Sequence, residues 1–181
     1  TSVQTVLSAR DEFDAVLGLA HEEQLEFVIS NTTEAGIVFD ESDSFTDIPP
    51  VTFPAKLTRI LYERYTYYEG DTHKGLVMLP TELNDHNGEL LRSCVQQYAA
   101  CWQLGEGFCQ WLDASCSFVD TLVDRIVTGY PSDTIDSLQE ELGYEDQLLV
   151  QAEPFSLWVI GSPELKDRLP LDSSRFHVEF T

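Results

Sequence analysis

The sequence predicts an α/β fold with a mostly parallel sheet flanked by helices. Two short apolar segments, residues 25–29 and 75–79, have the composition of strands buried on both faces. Each is followed by a polar loop and then by an amphipathic helix pattern. This alternation is typical of α/β domains, whose ligands bind in loops at the carboxyl ends of the strands.

The helices are predicted from apolar residues that recur every three or four positions. Ser8 and Asp11 have the spacing of a capping box at the first helix, and Thr52 is suited to cap the second. The predicted helices cover residues 8–20, 52–70, 91–102, 108–112 and 132–142. Further extended segments are predicted at residues 117–127, 148–150, 155–160 and 176–180, and an exposed acidic loop at residues 40–50.

The charge of the chain excludes several classes of partner. Its 32 acidic residues against 10 basic ones give a formal net charge of -22, which opposes binding to nucleic acids and to anionic membranes. The apolar stretches are far shorter than the roughly 20 residues that span a bilayer. The chain does not open with a basic segment followed by an apolar one, as a signal peptide would. We therefore expect a cytoplasmic protein that binds neither nucleic acid nor membrane.

The four cysteines, Cys94, Cys101, Cys109 and Cys116, contain no C-x-x-C pair. This spacing argues against a zinc ribbon or a thioredoxin-like redox motif. We predict that all four are small buried residues, reduced in the cytoplasm, and that they hold no metal.

Two polar loops follow the first two predicted strands. In residues 31–36, hydroxyl, amide and carboxylate groups are suited to bind a ribose or a carboxamide, although such a loop is also an ordinary turn. In residues 82–88, two acids, a histidine and two amides are suited to metal coordination or proton transfer. The alternative is a solvated loop in which Asn87 or Asp85 caps the next helix, or an Asn-Gly turn.

Two later segments also carry candidate residues. Asp124 stands beside Arg125 in an apolar run, which predicts either a functional carboxylate or a structural ion pair at a strand end. Glu153 precedes Pro154 and is either a site carboxylate or part of a turn.

Taken in order, these four segments resemble the polyol and sugar-acid dehydrogenase family that includes mannitol dehydrogenase, fructuronate reductase and tagaturonate reductase. The match runs through nearly the whole chain, and residues 31–37 and 53–68 most resemble the tagaturonate reductase branch. The residues that carry it are Thr33-Glu34-Ala35-Gly36, Glu82 to Gly88, Val123-Asp124-Arg125-Ile126, and Glu153-Pro154-Phe155 with Trp158.

The resemblance implies that residues 1–181 are the later part of a Rossmann-like NAD-binding domain and end near a helical domain that lies outside the chain. The family transfers a hydride between NAD and a keto sugar acid or polyol, here tagaturonate and altronate of hexuronate breakdown, with fructuronate or mannitol as alternatives. Its catalytic lysine belongs to a K-x-x-x-x-N-x-x-H helix expected beyond Thr181. The chain has no G-x-G-x-x-G motif, and we predict that it is inactive by itself.

By the same resemblance, some residues are expected near each ligand. The cofactor set is Asn31, Thr32, Thr33 and Glu34, and the substrate set is Asn84, Asp85, Asn87, Val123 and Asp124. Leu83 departs from the family, because mannitol dehydrogenase has there an asparagine that donates to the developing oxyanion. Asp120 likewise replaces an expected asparagine. We expect Asn84 or a different helper to take the oxyanion role.

Two hypotheses of other classes remain open at this point. One is a metal-dependent hydrolase that uses Glu82, Asp85, His86 and His73, although no H-x-H or H-E-x-x-H pattern supports it. The other is a non-catalytic acidic interaction module.

Overall fold

The computed structural model describes residues 3–171 and 177–181. The helices are α1 (Phe13–Gly18), α2 (Phe53–Tyr67), α3 (Asn87–Cys101), α4 (Glu106–Ser115) and α5 (Ile135–Leu142). The strands are β1 (Phe27–Ser30), β2 (Val77–Pro80), β3 (Ser117–Phe118), β4 (Thr121–Asp124), β5 (Val127–Gly129), β6 (Gln151–Ala152), β7 (Leu157–Ile160) and β8 (His177–Phe180). Two compact units, Thr1–Thr121 and Leu122–Thr181, divide the chain.

The first unit contains a three-stranded parallel sheet in the order β1-β2-β3. Phe27 pairs with Val77, and Val77 in turn pairs with Ser117. Because the strands are parallel, their carboxyl ends lie at one edge. The α/β fold with a mostly parallel sheet is therefore confirmed, and both predicted strand-and-loop segments reach the same edge.

The core of this unit lies between the sheet and helices α2, α3 and α4. The amphipathic stripes predicted from the sequence supply most of it. Burying each leucine completely contributes roughly 1.5–3 kcal/mol. The core members include Leu57, Leu61, Met78, Leu91, Cys94, Val95, Ala99, Phe108, Trp111 and Leu112.

The second unit has a sheet of order β4-β7-β8, in which β7 and β8 are parallel, and a two-stranded antiparallel sheet of β5 and β6. Its helix α5 ends at Gly143, whose φ of 77° is a left-handed conformation that glycine adopts readily. The predicted final strand corresponds to β8 from His177 onward, and Phe176 lies outside the described residues. No helix among the described residues has both the length and the apolar character that crossing a membrane requires.

The prediction that the first strand is buried on both faces is wrong for β1. Ile29 is 56% exposed, whereas Val28 packs against the core. β1 is an outer strand of its sheet. Successive side chains of a strand point to opposite faces of the sheet. The described residues thus cover the face that carries Val28 and leave Ile29 open.

The predicted helix caps have different outcomes. Thr52 caps α2 as predicted, because its hydroxyl accepts a hydrogen bond of 3.2 Å from the Ala55 N–H. Ser8 and Asp11 do bond to each other, but α1 begins only at Phe13. The Ser8–Asp11 pair closes a turn before the helix, so the predicted capping box is wrong.

The acidic loop at residues 40–50 is not wholly exposed as predicted, because Asp43 is buried. Its carboxylate accepts hydrogen bonds from the Thr52 N–H at 3.1 Å, the Tyr98 hydroxyl at 2.9 Å and the Val51 N–H. Burial raises the pKa of Asp43, but hydrogen bonds from Thr52, Val51 and Tyr98 outweigh it and hold the pKa below its usual value. Asp43 therefore ties this loop to α2 and α3.

Arg64 of α2 is 1% exposed and organises the segments that enter the sheet. Its guanidinium donates to the carbonyl oxygens of Ala20 at 2.8 Å, Glu22 at 3.0 Å, Leu25 at 3.1 Å and Lys74 at 2.6 Å. Burial lowers the pKa of Arg64. The side chain thus joins the approaches to β1 and β2 to the helix that packs on them.

Replacing Arg64 by methionine is expected to destabilise the protein strongly. Four carbonyl oxygens would lose their charged donor while apolar volume is kept, and the expected loss is about 3 kcal/mol of unfolding free energy. Arg92→Met is the matched control, because half-exposed Arg92 pairs with half-exposed Asp113 and should lose no more than about 1 kcal/mol. Urea unfolding followed by circular dichroism measures both, and equal losses would contradict the role of Arg64.

Candidate functional site

The candidate site lies at the carboxyl edge of the first sheet, which residues 30–36, 81–88 and 119–121 form. Ser30 pairs with Pro80 at the ends of β1 and β2. The N–H and the hydroxyl of Thr81 both donate to the Ser30 carbonyl, at 2.9 and 2.7 Å. The predicted cofactor loop and substrate loop therefore start side by side.

Glu82 joins these two loops directly. It is 3% exposed, and its Oε1 accepts from the N–H of Thr32 at 2.9 Å and from the Thr32 hydroxyl at 2.8 Å. Its Oε2 accepts from the Ser30 hydroxyl at 2.9 Å. Ser30 is absent from the predicted site, and its place at the end of the first strand is the only sequence feature that marks it.

These contacts bear on the metal-site interpretation of residues 82–88. Both carboxylate oxygens of Glu82 are engaged by protein donors rather than directed to an open site. In the part of the chain that the structure describes, no three His, Cys, Asp or Glu side chains are grouped so as to hold a metal ion.

Asn84 forms a second link between the two loops. Its Nδ2 donates to the Glu34 carbonyl at 3.1 Å, and its N–H donates to the Glu82 carbonyl at 2.8 Å. Its Oδ1 is shielded from water and has no hydrogen-bond partner among the described residues. A buried polar atom without a partner is uncommon, and Asn84 Oδ1 is free to accept a hydrogen bond.

Asn87 is 1% exposed, and its amide is fully used by the protein. Nδ2 donates to the carbonyl oxygens of Pro80 at 3.0 Å, Glu82 at 2.9 Å and Thr121 at 2.8 Å. Oδ1 accepts from the Thr121 N–H at 2.9 Å. The geometry makes Asn87 a support of the edge, and its predicted contact with substrate stays a prediction. The interpretation of Asn87-Gly88 as a turn is wrong, because both residues belong to the first turn of α3.

The cap of α3 comes from Asp120 rather than from Asn87 or Asp85. Asp120 Oδ1 accepts from the N–H groups of Gly88 at 2.8 Å and Glu89 at 3.1 Å. A carboxylate there also complements the positive end of the helix dipole. This role accounts for an acid where the family resemblance predicts an asparagine.

Gly88 and His86 show how closely the chain approaches itself at this cap. A Cβ on Gly88 would lie 2.6 Å from the Val119 carbonyl carbon, so only glycine fits. His86 adopts a left-handed conformation, with φ 52° and ψ 48°, and its Nδ1 lies 3.1 Å from Asp120 Oδ2. The hydrogen bond to Asp120 and its negative charge raise the pKa of the exposed His86 imidazole.

The predicted cofactor residues Asn31, Thr32, Thr33 and Glu34 lie on an exposed loop. Gly36 closes that loop and is required there, because an added Cβ would lie 1.9 Å from Thr32 Oγ1. A groove of about 390 Å³ opens beside it. The groove is lined by Thr32, Ala35, Gly36, Val38, Val51, Thr52, Phe53 and Lys56.

Lys56 is the cationic residue of this groove, and its ammonium donates to the Val51 carbonyl at 2.5 Å. Burial lowers the pKa of Lys56.

Val123 and Asp124, the remaining predicted substrate residues, belong to the second unit. Asp124 and Arg125 are both exposed and form no ion pair with each other in the described residues, so the alternative of a structural ion pair at a strand end is wrong. Instead, Glu153 Oε1 accepts from the Ile126 N–H at 2.6 Å, and its carbonyl accepts from Arg125 Nε at 3.3 Å. Glu153 therefore stabilises the chain that follows Asp124.

The cysteines are free, but only Cys94 is fully buried. The prediction of burial is wrong for Cys101 and Cys109, which are exposed, and Cys116 is partly buried. Burial raises the pKa of Cys116 to about 11, so its thiol resists ionisation.

Comparison with known proteins decides the family. Residues 1–173 match the family model described as the mannitol dehydrogenase Rossmann domain. The chain belongs to the mannitol dehydrogenase family. The family resemblance found in the four segments and the Rossmann-like fold are thereby confirmed.

Curated relatives in the mannitol dehydrogenase family are named altronate oxidoreductase. The protein of Yersinia enterocolitica serotype O:8 is 51% identical over 178 residues, which cover 98% of this chain and 37% of that protein. The protein of Klebsiella pneumoniae is 51% identical over 177 residues, covering 94% of this chain and 37% of that protein. The chain thus spans little more than a third of the length of these relatives.

Two solved structures share the fold. Pseudomonas fluorescens mannitol 2-dehydrogenase, solved as a ternary complex with NAD and D-mannitol, matches with a TM-score of 0.77 and 22% identity over 99% of this chain and 38% of that one. A substrate-free D-sorbitol dehydrogenase matches with a TM-score of 0.73 and 21% identity over 96% of this chain and 37% of that one.

The Asp120 contact makes a prediction about pH. Because the folded protein raises the pKa of His86, the His86–Asp120 pair stabilises the fold fully below the unfolded pKa of about 6.5, and this stabilisation is lost as the pH rises through the folded value. Asp120→Asn keeps an oxygen for the Gly88 and Glu89 N–H groups but removes the charge. We expect it to lower the pKa of His86 and to reduce the melting temperature more at pH 5.5 than at pH 8.5.

Titration of the imidazole protons by NMR measures the first effect, and thermal unfolding at the two pH values measures the second. Asp113→Asn is the control, because Asp113 pairs with Arg92 and should leave the pKa of His86 unchanged. An unaltered His86 titration in Asp120→Asn would refute the pairing.

Proposed function

We propose that the protein expressed from the complete reading frame is an NAD-dependent oxidoreductase that interconverts a keto sugar acid and its hydroxy acid, namely tagaturonate and altronate, in the cytoplasm. The observation that carries this proposal is the 51% identity to an altronate oxidoreductase over 98% of the chain. The proposal also holds that residues 1–181 are the later part of a dinucleotide-binding domain that is followed by a helical domain.

The loop after β1 fits the nicotinamide end of NAD. Asn31, Thr32, Thr33 and Glu34 offer amide, hydroxyl and carboxylate groups on an exposed loop at the carboxyl edge of a parallel sheet, which is where α/β folds bind dinucleotides. A structure of the same fold, the mannitol 2-dehydrogenase, holds NAD, and this supports the choice of cofactor. When bound, the nicotinamide supplies or accepts the hydride.

The loop after β2 fits the sugar. Asn84 has an unpartnered Oδ1, which a rotation of the amide would present to a sugar hydroxyl, and Asp85 is exposed next to it. We propose that Asn84 and Asp85 orient the sugar chain. Asn87 supports these residues indirectly, because its side chain bonds to the carbonyl of Glu82 and to both the N–H and the carbonyl of Thr121. The family resemblance separately supports Val123 and Asp124 of the second unit as substrate residues.

The proton donor is proposed to come from the family's lysine helix outside this chain. Leu83 cannot donate to a developing oxyanion. We propose that the residues of this chain bind and orient the ligands and that they do not move the proton. A donor commonly accelerates such reactions by roughly 100- to 10,000-fold, and well-oriented positioning lowers the barrier by up to about 7–11 kcal/mol.

The charge of the substrate separates tagaturonate from the neutral alternative. A sugar acid carries a carboxylate, which the net charge of -22 disfavours unless cations are placed for it. Two basic side chains lie on or beside the predicted loops, but both have protein partners: His86 bonds to Asp120, and the Lys56 ammonium donates to the Val51 carbonyl. The choice of a sugar acid over a neutral polyol such as mannitol is therefore supported by the identity to altronate oxidoreductases rather than by free positive charge.

The complete protein is expected to oxidise NADH with tagaturonate at a higher kcat/KM than with fructuronate, and to show little turnover with fructose. The carboxylate and the configuration of the sugar acid give the physical reason for this order. Steady-state absorbance at 340 nm, the NADH band, checks it across the three substrates. If fructose were the preferred substrate, the protein would be a polyol dehydrogenase instead. If none of the three substrates supported NADH oxidation, the proposed function would be rejected.

Within that protein, Asp124→Ala is expected to reduce turnover by about 100-fold, because an orienting group misplaced by a small distance costs this much. Cys101→Ala should be nearly neutral, since Cys101 is exposed at the end of α3. Residues 1–181 alone should show no turnover, because the sequence contains neither a G-x-G-x-x-G loop nor the lysine motif. Full activity of Asp124→Ala, or turnover by residues 1–181, would show that the active site is elsewhere.

A further inference from the structure

The buried carboxylate of Glu82, which follows β2, holds the cofactor loop, which follows the neighbouring strand β1. Three donors reach it, the hydroxyl of Ser30 and both the N–H and the hydroxyl of Thr32. The two residues that donate precede Glu82 by 52 and 50 positions, so the contact exists only because β1 and β2 are parallel neighbours. No cation pairs with Glu82 among the described ion pairs.

The backbone that carries Glu82 is itself fixed. Its carbonyl accepts from Asn87 Nδ2 at 2.9 Å and from the Asn84 N–H at 2.8 Å. Asn87 is buried in the first turn of α3, so the carboxylate stands on a support that extends from β2 into a long helix.

The cofactor loop has few other contacts of this kind. Its internal bond runs from the Gly36 N–H to the Thr33 carbonyl at 2.8 Å, and its other described bond to residues 82–88 runs from Asn84 to the Glu34 carbonyl at 3.1 Å. Residues 31–35 are exposed. Glu82 therefore supplies two of the three described hydrogen bonds between this loop and residues 82–88.

We propose that Glu82 is a positioning residue that acts through Thr32 and sets the backbone of residues 32–34 in the conformation that receives the nicotinamide end of the cofactor. The inference rests on the proposed function, since it assumes that this loop binds NAD. Glu82 touches neither substrate nor cofactor in this role and moves no proton. Its effect is to reduce the conformational freedom that cofactor binding would otherwise remove.

Two substitutions of similar size distinguish the hydrogen bonds that Glu82 accepts from the volume that its side chain fills. Glu82→Gln keeps an oxygen for Thr32 and turns an NH₂ group toward Ser30, whose hydroxyl is able to rotate and accept. Glu82→Met has a similar length and no strong acceptor, so the Thr32 N–H and hydroxyl lose their partner.

In the complete protein, Glu82→Met is expected to raise the KM and the Kd for NADH about tenfold, which is the loss expected for one to two buried hydrogen bonds. The KM for the keto acid at saturating NADH and kcat should change by less than about threefold, because the loop is re-ordered once the cofactor is bound. Glu82→Gln should stay within about threefold of the wild type in every constant. Steady-state kinetics and titration of NADH fluorescence provide these values.

Asp43→Ala, compared with Glu82→Ala, controls for general damage to the fold. Asp43 is also a buried carboxylate with three donors, but it ties residues 40–50 to α2 and α3 instead of holding the cofactor loop. Both variants should lower the melting temperature, and only Glu82→Ala should raise the Kd for NADH. Equal effects on NADH binding would overturn the inference, as would a Glu82→Gln variant as impaired as Glu82→Met.

Hydrogen exchange at the Thr32 amide separates this inference from the proposed function. The amide should exchange slowly in the wild type and in Glu82→Gln, and at least tenfold faster in Glu82→Met. Unchanged exchange in Glu82→Met refutes the role of Glu82 even if the enzyme is active. A wild type that neither binds NADH nor oxidises it refutes the proposed function, whatever the exchange result.

Discussion

Three carbonyl oxygens at the carboxyl edge of the sheet share one donor group, the buried NH₂ of Asn87. They belong to the end of β2, to the loop after it and to the start of β4, while the Asn87 oxygen accepts from the Thr121 N–H. Strand ends leave backbone groups without ladder partners, and buried groups of this kind must find others. The other contacts at this edge are arranged around that amide.

Asp120 and Glu82 each fix a further part of this edge beside Asn87. Asp120 receives the free N–H groups at the start of α3, and Glu82 reaches back to Thr32 and Ser30. Both acids are satisfied by neutral donors, with His86 as the additional partner of Asp120. These two acidic residues therefore give the loops their shape, while the side chains of Asn31, Thr33 and Asp85 are exposed.

Some of the few basic residues of the chain bind backbone carbonyl groups. Arg64 neutralises carbonyl dipoles at the approaches to β1 and β2, and Lys56 binds the carbonyl of Val51. A planar guanidinium with five donors suits the first task better than lysine would. A chain of net charge -22 thus commits part of its small positive charge to backbone architecture.

The amino-acid sequence alone was sufficient to predict the α/β class, the parallel strands followed by loops, the Thr52 cap and the family. These features depend on the period of the apolar residues, on strand composition and on the order of motifs, which are all read directly along the chain. The sequence did not reveal that Ile29 is exposed, that Asp43 is buried, or that Asp120 rather than Asp85 caps α3. The contact between Glu82 and Thr32 was equally hidden, since 50 residues separate the partners. Such pairings arise from the register of neighbouring strands and the depth at which a helix packs, and only the tertiary structure determines both.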